Sequence, residues 1–174
     1  MAFGAGAASC AQWRLPQGYS LRPAVDADLP FLREVYASTR WEELQPTLWT
    51  TEQKLAFLSQ QFALQHHHYH HYYPHTEFLL ILHQHLAIGR IYVQRLASEL
   101  TLMDIALLPA HRGQGLGSAL MAELVAEADR SGSRVSLHVE RDNPAQRLYA
   151  RFGFVLVEDG DVYQFLRREP AAPR

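Results

Sequence analysis

Residues 111–118, HRGQGLGS, set Arg112 ahead of three glycines at alternate positions, directly after the apolar run TLMDIALLP. Glycine reaches backbone conformations that a Cβ forbids and lets the chain pass close to a neighbour. If a helix starts inside the run, its first amides have no partner within the helix and sit at the positive end of its dipole. That is chemistry for an anion, phosphate above all. Two other phosphate turns fail against these letters. A P-loop needs a lysine after its last glycine, and the chain's only lysine is Lys54. A dinucleotide turn needs G-x-G-x-x-G, whereas Gly115 is followed by Leu116, Gly117, Ser118, Ala119 and Leu120.

Other segments hold groups that move protons. The run RVSLHVE carries His138 and Glu140, and DNPAQRLYARFGF carries Tyr149. Asp104 is the polar exception in an apolar run, suited to structural hydrogen bonding or to catalysis. The segment QHHHYHHYYPH, residues 65–75, contains six of the ten histidines. His66 and His70, or His67 and His71, are spaced to share a helical face, as metal ligands do. Yet no H-E-x-x-H occurs and no acid lies in the run before Glu77, so composition favours a solvated helix end that gains positive charge in mild acid, and no metal is expected.

Elements must position these groups. YSLRPA reads as a first strand, and Asp26 or Asp28 caps a helix with Leu29, Leu32, Val35 and Tyr36 on one face. A second helix starts near Thr50 or Thr51, with Leu55, Leu58 and Phe62 as its stripe, and reaches the histidines near residue 66. FLLILHQHLAIGRIYVQR reads as a hairpin turning at His83–His85. Residues 100–139 read strand, glycine turn, helix, strand, a parallel βαβ unit. Gly117, Leu120, Met121, Leu124, Val125 and Ala128 form the helix's apolar stripe. Asn143 then suits an N-cap, Pro144 the first helical position and Gly153 the C-terminal cap, and a last hairpin turns at Asp159–Gly160.

At 174 residues with 48% hydrophobic and 20% charged residues, one soluble domain is expected, over 19–168, with tails at 1–18 and 169–174. No apolar stretch nears the ~20 residues of a membrane helix. MAFGAGAASCAQW does not resemble a secretory signal. The lone Cys10 fits a reducing cytoplasm. A net charge of −2 lacks the basic footprint of a nucleic-acid binder.

The chain resembles the GNAT superfamily of acyl-CoA-dependent N-acetyltransferases. Arg112-Gly113-Gln114-Gly115-Leu116-Gly117 matches the family's R/Q-x-x-G-x-G/A pattern, and Asn143, Leu148, Tyr149, Gly153 and Phe154 match a second pattern at the agreed spacing. The detailed match covers about residues 100–157. The resemblance implies a single mixed α/β domain: a mostly antiparallel twisted sheet with one parallel βαβ unit, strands splayed at the coenzyme site, and about four flanking helices. It also implies acetyl-CoA as co-substrate and direct attack by a primary amine. The amides from Gly113 to Ser118, with Arg112, would hold the pyrophosphate. The backbone of Ile105, Ala106 and Leu107 would pair with the pantetheine arm, which Asn143 would also touch. Tyr149 would be the general acid beside the sulfur.

The base is left open among Asp104, Glu140, His138, Glu42, Glu43 and a water chain. The segment TRWEELQPTLW borders the acceptor pocket in such folds, which offers Trp41, Glu42 and Glu43 to a substrate, with Tyr72 and its neighbours Tyr69 and Tyr73 as a further wall. Acceptors from small amines to protein amines stay open, as does a monomer or a homodimer. Two alternatives are a non-catalytic acyl-CoA binding or sensing module and, more distantly, a histidine-rich metal-binding domain.

Overall fold

The structure, a computed structural model, describes residues 12–172. Cys10 lies outside the described residues. Strand β1 (Tyr19–Pro23) leads to α1 (Leu29–Arg40) and α2 (Thr51–Tyr72). Strands β2 (Thr76–His83), β3 (Leu86–Leu96) and β4 (Glu99–Leu107) follow. Helix α3 (Leu116–Ser131), strand β5 (Arg134–Glu140), helix α4 (Gln146–Arg151) and strands β6 (Val155–Asp159) and β7 (Tyr163–Arg168) complete the order. The strands form one seven-stranded sheet, β1-β2-β3-β4-β5-β7-β6, in which β4–β5 is the parallel pair.

Local sequence accounts for the punctuation. Gln84 and His85 both take positive φ, 49° and 70°, so β2 and β3 meet in a two-residue turn whose twist matches the strands. Thr50 and Gln53 cap α2 reciprocally: the Gln53 amide donates to Thr50 Oγ1 at 3.2 Å, and the Thr50 amide to Gln53 Oε1 at 2.9 Å. Gly153, φ 85°, ends α4, with the Phe154 amide reaching back to the Tyr149 carbonyl at 3.1 Å.

The sheet separates two cores. In β2, Leu79 and Ile81 face the α3 side while Leu80 and Leu82 face α1 and α2, as a period of two requires. Leu120, Met121 and Leu124 of α3 are wholly buried, each such side chain contributing about 1.5–3 kcal/mol on leaving water. Within the expected N-terminal tail, Trp13 is buried and its Nε1 donates to Glu127 at 2.7 Å. In the expected C-terminal tail, the Ala171 amide donates to Asp129 at 2.8 Å.

Helix α2 departs from the expected pattern in two ways. Leu58 and Phe62 are buried but Leu55 is exposed, and Lys54 takes its place, its stem covered and its ammonium 5.8 Å from the Trp41 ring. The helix also continues to Tyr72, so the histidines belong to a packed element rather than to a solvated end. His70 stacks on Phe78 with ring centroids 4.2 Å apart, and His66 stands between Phe62 and His70. Burial lowers the pKa of His70. His67, His68, His71 and His75 keep the exposure expected of the run.

Candidate active site

The parallel pairing of β4 with β5 runs from Glu99–Arg134 to Leu102–Leu137 and stops there. β4 continues to Leu107 and β5 to Glu140, so the two strands diverge. A bulge marks the point of departure: Tyr92 pairs with Asp104 but Val93 with Leu102, leaving Met103 as an extra residue on β4. Such a bulge bends its strand. β5 does not follow, because β7 holds it through to Glu140.

A cavity of about 460 Å³ occupies the divergence. Leu102–Ile105 line one wall, Leu137–Glu140 the other, and Asn143 and Tyr149 the region of α4. Arg40 and Glu43, Gln65 and Tyr69 from α2, and Tyr163 from β7 complete it.

Tyr149 is 5% exposed and lines the cavity. Burial, with the negative charge of Asp104 adding, pushes its pKa up to about 12. The phenol therefore keeps its proton throughout the ordinary range of pH.

The three carboxylates of the cavity are all paired with arginines. Asp104 Oδ2 lies 2.5 Å from Nε of Arg90, a side chain 2% exposed whose guanidinium also donates to Gln65 at 3.0 Å. Glu140 Oε1 lies 2.5 Å from Arg40 NH1, which also bonds Glu43 at 3.0 Å. His138 is exposed at the cavity edge, its ring 4.8 Å from that of Phe165.

The glycine turn lies beyond the end of β4. Gly113 and Gly115 take φ of 72° and 83°, and a Cβ on either would meet open space. Their use is conformational and outward-facing. At Gly117 a Cβ would meet Leu148 at 3.7 Å, ordinary contact between α3 and α4. The amides of Leu116, Gly117 and Ser118 open a 16-residue helix and so precede its first internal acceptor. Arg112 is folded back, Nε donating to the Leu107 carbonyl at 2.9 Å, which keeps its charge at the end of β4. Gln114 donates to the Ala110 carbonyl at 3.3 Å. An anionic pyrophosphate fits this set of outward amides, open glycines and arginine charge.

Asn143 accepts the Ala145 amide at 2.9 Å, and α4 begins only at Gln146, two residues beyond the expected start at Pro144. The structure places Trp41 in the α1–α2 core and Glu42 at the surface, away from the cavity, while Glu43 lines it and Tyr72 lines an outer depression. Sequence reasoning missed Arg40, Gln65, Tyr163 and the second arginine at the glycine turn, Arg151, whose NH2 is 3.4 Å from Ser118 Oγ. It named Tyr69, with Tyr72 and Tyr73, as a wall of the acceptor site, and Tyr69 is the one of the three that lines the inner cavity. The Tyr69 hydroxyl reaches to 3.5 Å from the Met103 carbonyl, and burial raises its pKa. Helical spacing from Phe62 through Gln65 and His66 was the available signal for it.

The family model described as Acetyltransferase (GNAT) family matches residues 37–154, from the end of α1 through α4. The chain belongs to the GNAT acetyltransferase family. A curated relative, the [ribosomal protein bS18]-alanine N-acetyltransferase of Haemophilus influenzae, is 32% identical over 77 residues, 44% of this chain. The match spans about half of that relative, 53% of its length. Among solved structures, PaiA N-acetyltransferase from Thermoplasma acidophilum, in complex with coenzyme A, aligns with a TM-score of 0.64 at 18% identity, over 87% of this chain and 98% of that one. YncA, a putative acetyltransferase from Salmonella typhimurium with acetyl-CoA, aligns at 0.52 and 22% identity, over 91% and 99%. These likenesses establish the fold, a mixed α/β domain with a mostly antiparallel sheet and one parallel pair.

Among the described residues no three histidine, cysteine, aspartate or glutamate side chains are grouped to hold a metal. No described helix is long and apolar enough to cross a membrane.

Proposed function

We propose that the chain transfers the acetyl group of acetyl-CoA directly to a primary amine. The observation that carries this reading is the end of parallel pairing at Leu102–Leu137, with the glycine turn at the end of β4 and Tyr149 lining the gap. The amides from Gly113 to Ser118 and the charge of Arg112 hold the pyrophosphate. The backbone of Ile105, Ala106 and Leu107 pairs with the pantetheine arm as an added strand would, and Asn143 touches it. Residues 19–168 form the domain that does this.

In the reaction the amine nitrogen attacks the thioester carbon, the carbon–sulfur bond breaks, and the sulfur leaves with the electron pair. A β4 amide receives the carbonyl oxygen as negative charge develops on it. Tyr149, at about 12, is a weak acid beside a thiol, ordinarily near 8.5, so its first service is a hydrogen bond to the leaving sulfur, with the sulfur's proton coming through it from solvent. The amine, with an ordinary pKa of about 10.4, sheds its proton through water in contact with Glu140, Asp104 or His138. Since both carboxylates carry arginine partners, a water chain serves as base better than either alone. Glu43 and the tyrosines Tyr69 and Tyr163 flank the acceptor. The cytoplasm is the setting proposed, in keeping with a relative whose named substrate is a ribosomal protein.

The same pairing of Asp104 and Glu140 favours one second reading, a module that binds acyl-CoA without turnover. Free-thiol release from acetyl-CoA, measured over a panel of small amines and peptide amines, separates the two. Release that depends on an amine supports the transferase. Binding of acetyl-CoA with no release for any amine would leave only the sensing module.

A further inference from the structure

Beside the inner cavity lies an outer depression of about 740 Å³. Arg40, Gln65, Tyr69 and Tyr163 line both, so one opens against the other. The two differ in charge. Glu43, Asp104 and Glu140 line the inner cavity, whereas no aspartate or glutamate among the described residues lines the outer one. Its outer wall is instead the exposed face of α2, His67, His68, His71 and Tyr72.

These side chains form a compact group. The His67 and His71 rings are 6.0 Å apart and nearly parallel, and the Tyr72 ring is 4.8 Å from His68 and 4.6 Å from His71. Facing them are Tyr36 and Arg40 of α1 and Tyr163 of β7. Arg40, which lines both spaces, holds Glu43 and Glu140 of the inner cavity. Imidazole, phenol and guanidinium are all hydrogen-bond donors, and two of the three types carry or gain positive charge. Such a wall suits a negative group, and the acids behind it suit a positive one.

From this polarity we infer that the acceptor is bipolar, a primary amine that enters the inner cavity with an anionic group, carboxylate or phosphate, trailing across the histidine face. The inference rests on the proposed amine site. It assigns the histidine run a substrate-selecting role that neither a metal site nor core packing supplies.

The test compares matched amines differing only in the trailing group: the peptide amides Ala-Glu-Glu, Ala-Gln-Gln and Ala-Lys-Lys, and aminopropyl phosphate against aminopropanol. Binding is measured calorimetrically with coenzyme A present, and kcat/KM from thiol release. The acidic member of a series should exceed the neutral one by about threefold to tenfold, the scale of two or three solvent-facing charge contacts, mainly through KM. Combined His67→Gln, His68→Gln and His71→Gln changes, all at exposed positions, should abolish the order while leaving kcat on Ala-Gln-Gln unchanged. An order confined to the peptides identifies an acidic peptide, and one confined to the phosphate pair identifies a small anionic amine. Equal binding of all members, preference for Ala-Lys-Lys, or an order that survives in the triple variant overturns the inference. Preserved order in binding without thiol release from any amine would contradict acetyl transfer and leave the bipolar site standing.

Discussion

Asp104 and Arg90 close an ion pair between adjacent strands of the sheet, Oδ2 to Nε at 2.5 Å, with the arginine almost wholly buried and the aspartate lining the candidate site. Breaking such a pair from one side leaves a buried charge without a partner, at a cost of about 3–5 kcal/mol. Asp104→Ala should therefore lose about that much in denaturant-induced unfolding. Asp104→Asn, which keeps the shape of the side chain without its charge, should lose less and keep kcat within about threefold if the residue is structural, since loss of a proton-transfer group costs at least about a hundredfold. A larger fall in kcat for correctly folded Asp104→Asn would make Asp104 the base.

Tyr149→Phe should lower kcat about a hundredfold, the low end for a proton-handling group, with little change in the KM for acetyl-CoA. Because burial pushes the phenol up to about 12, its protonated form persists where a free tyrosine, near 10, would already be ionising. The wild-type rate should accordingly show no tyrosine-linked fall between about pH 8 and about pH 10. A fall there that is absent in Tyr149→Phe would contradict the assignment.

The glycines of the turn should divide by role. Gly117→Ala, whose new methyl would make ordinary contact with Leu148, should be neutral or raise stability by about 0.4–1 kcal/mol. Gly113→Ala must adopt φ of 72° and should cost roughly 1 kcal/mol by thermal unfolding. Equal melting temperatures for the two variants would remove the conformational argument.

Asp129 accepts two hydrogen bonds from Arg168, at 2.7 and 3.1 Å, and these hold its carboxyl below the ordinary carboxylate range despite some desolvation. A depressed folded pKa means that the stabilisation is present above the unfolded value, about 3.9, and is lost as pH falls through the folded one. Asp129→Asn should cost roughly 1–2 kcal/mol at pH 7 and progressively less below about pH 4. A deficit that does not shrink in acid would show that packing, and not charge, is what the aspartate supplies.

The parts legible in the sequence were those written locally. The apolar stripe of α3, the glycines before it and the hairpin turn at Gln84–His85 each depend on a few neighbouring residues, and the parallel unit around the turn follows from their order. What stayed hidden depends on register between distant segments. Nothing near Asp104 says that Tyr92 will stand opposite it or that Met103 will bulge, so its pairing with Arg90 could not be read. The histidine run misled because composition suggests solvent, whereas Phe78, eight residues or more away along the chain, covers His66 and His70. Neither the cap nor the helix start falls where expected at Asn143: the N-cap of α4 is Ala145, and the Asn143 side chain accepts the Ala145 amide ahead of it. The side chain caps a turn, and regular helix waits until Gln146.

The account turns on the divergent gap between β4 and β5 being the seat of acetyl-CoA. Calorimetric titration with acetyl-CoA, and with acetyl-pantetheine lacking the pyrophosphate, on the wild type, Arg112→Ala and Gly115→Val, tests that most directly. Tight binding of acetyl-CoA is expected, weakened at least about tenfold by either substitution and by loss of the pyrophosphate, since an anion at a helix N-terminus and a charge-assisted hydrogen bond are each worth about 1–3 kcal/mol. No binding by the wild type, or binding that neither substitution disturbs, would contradict it.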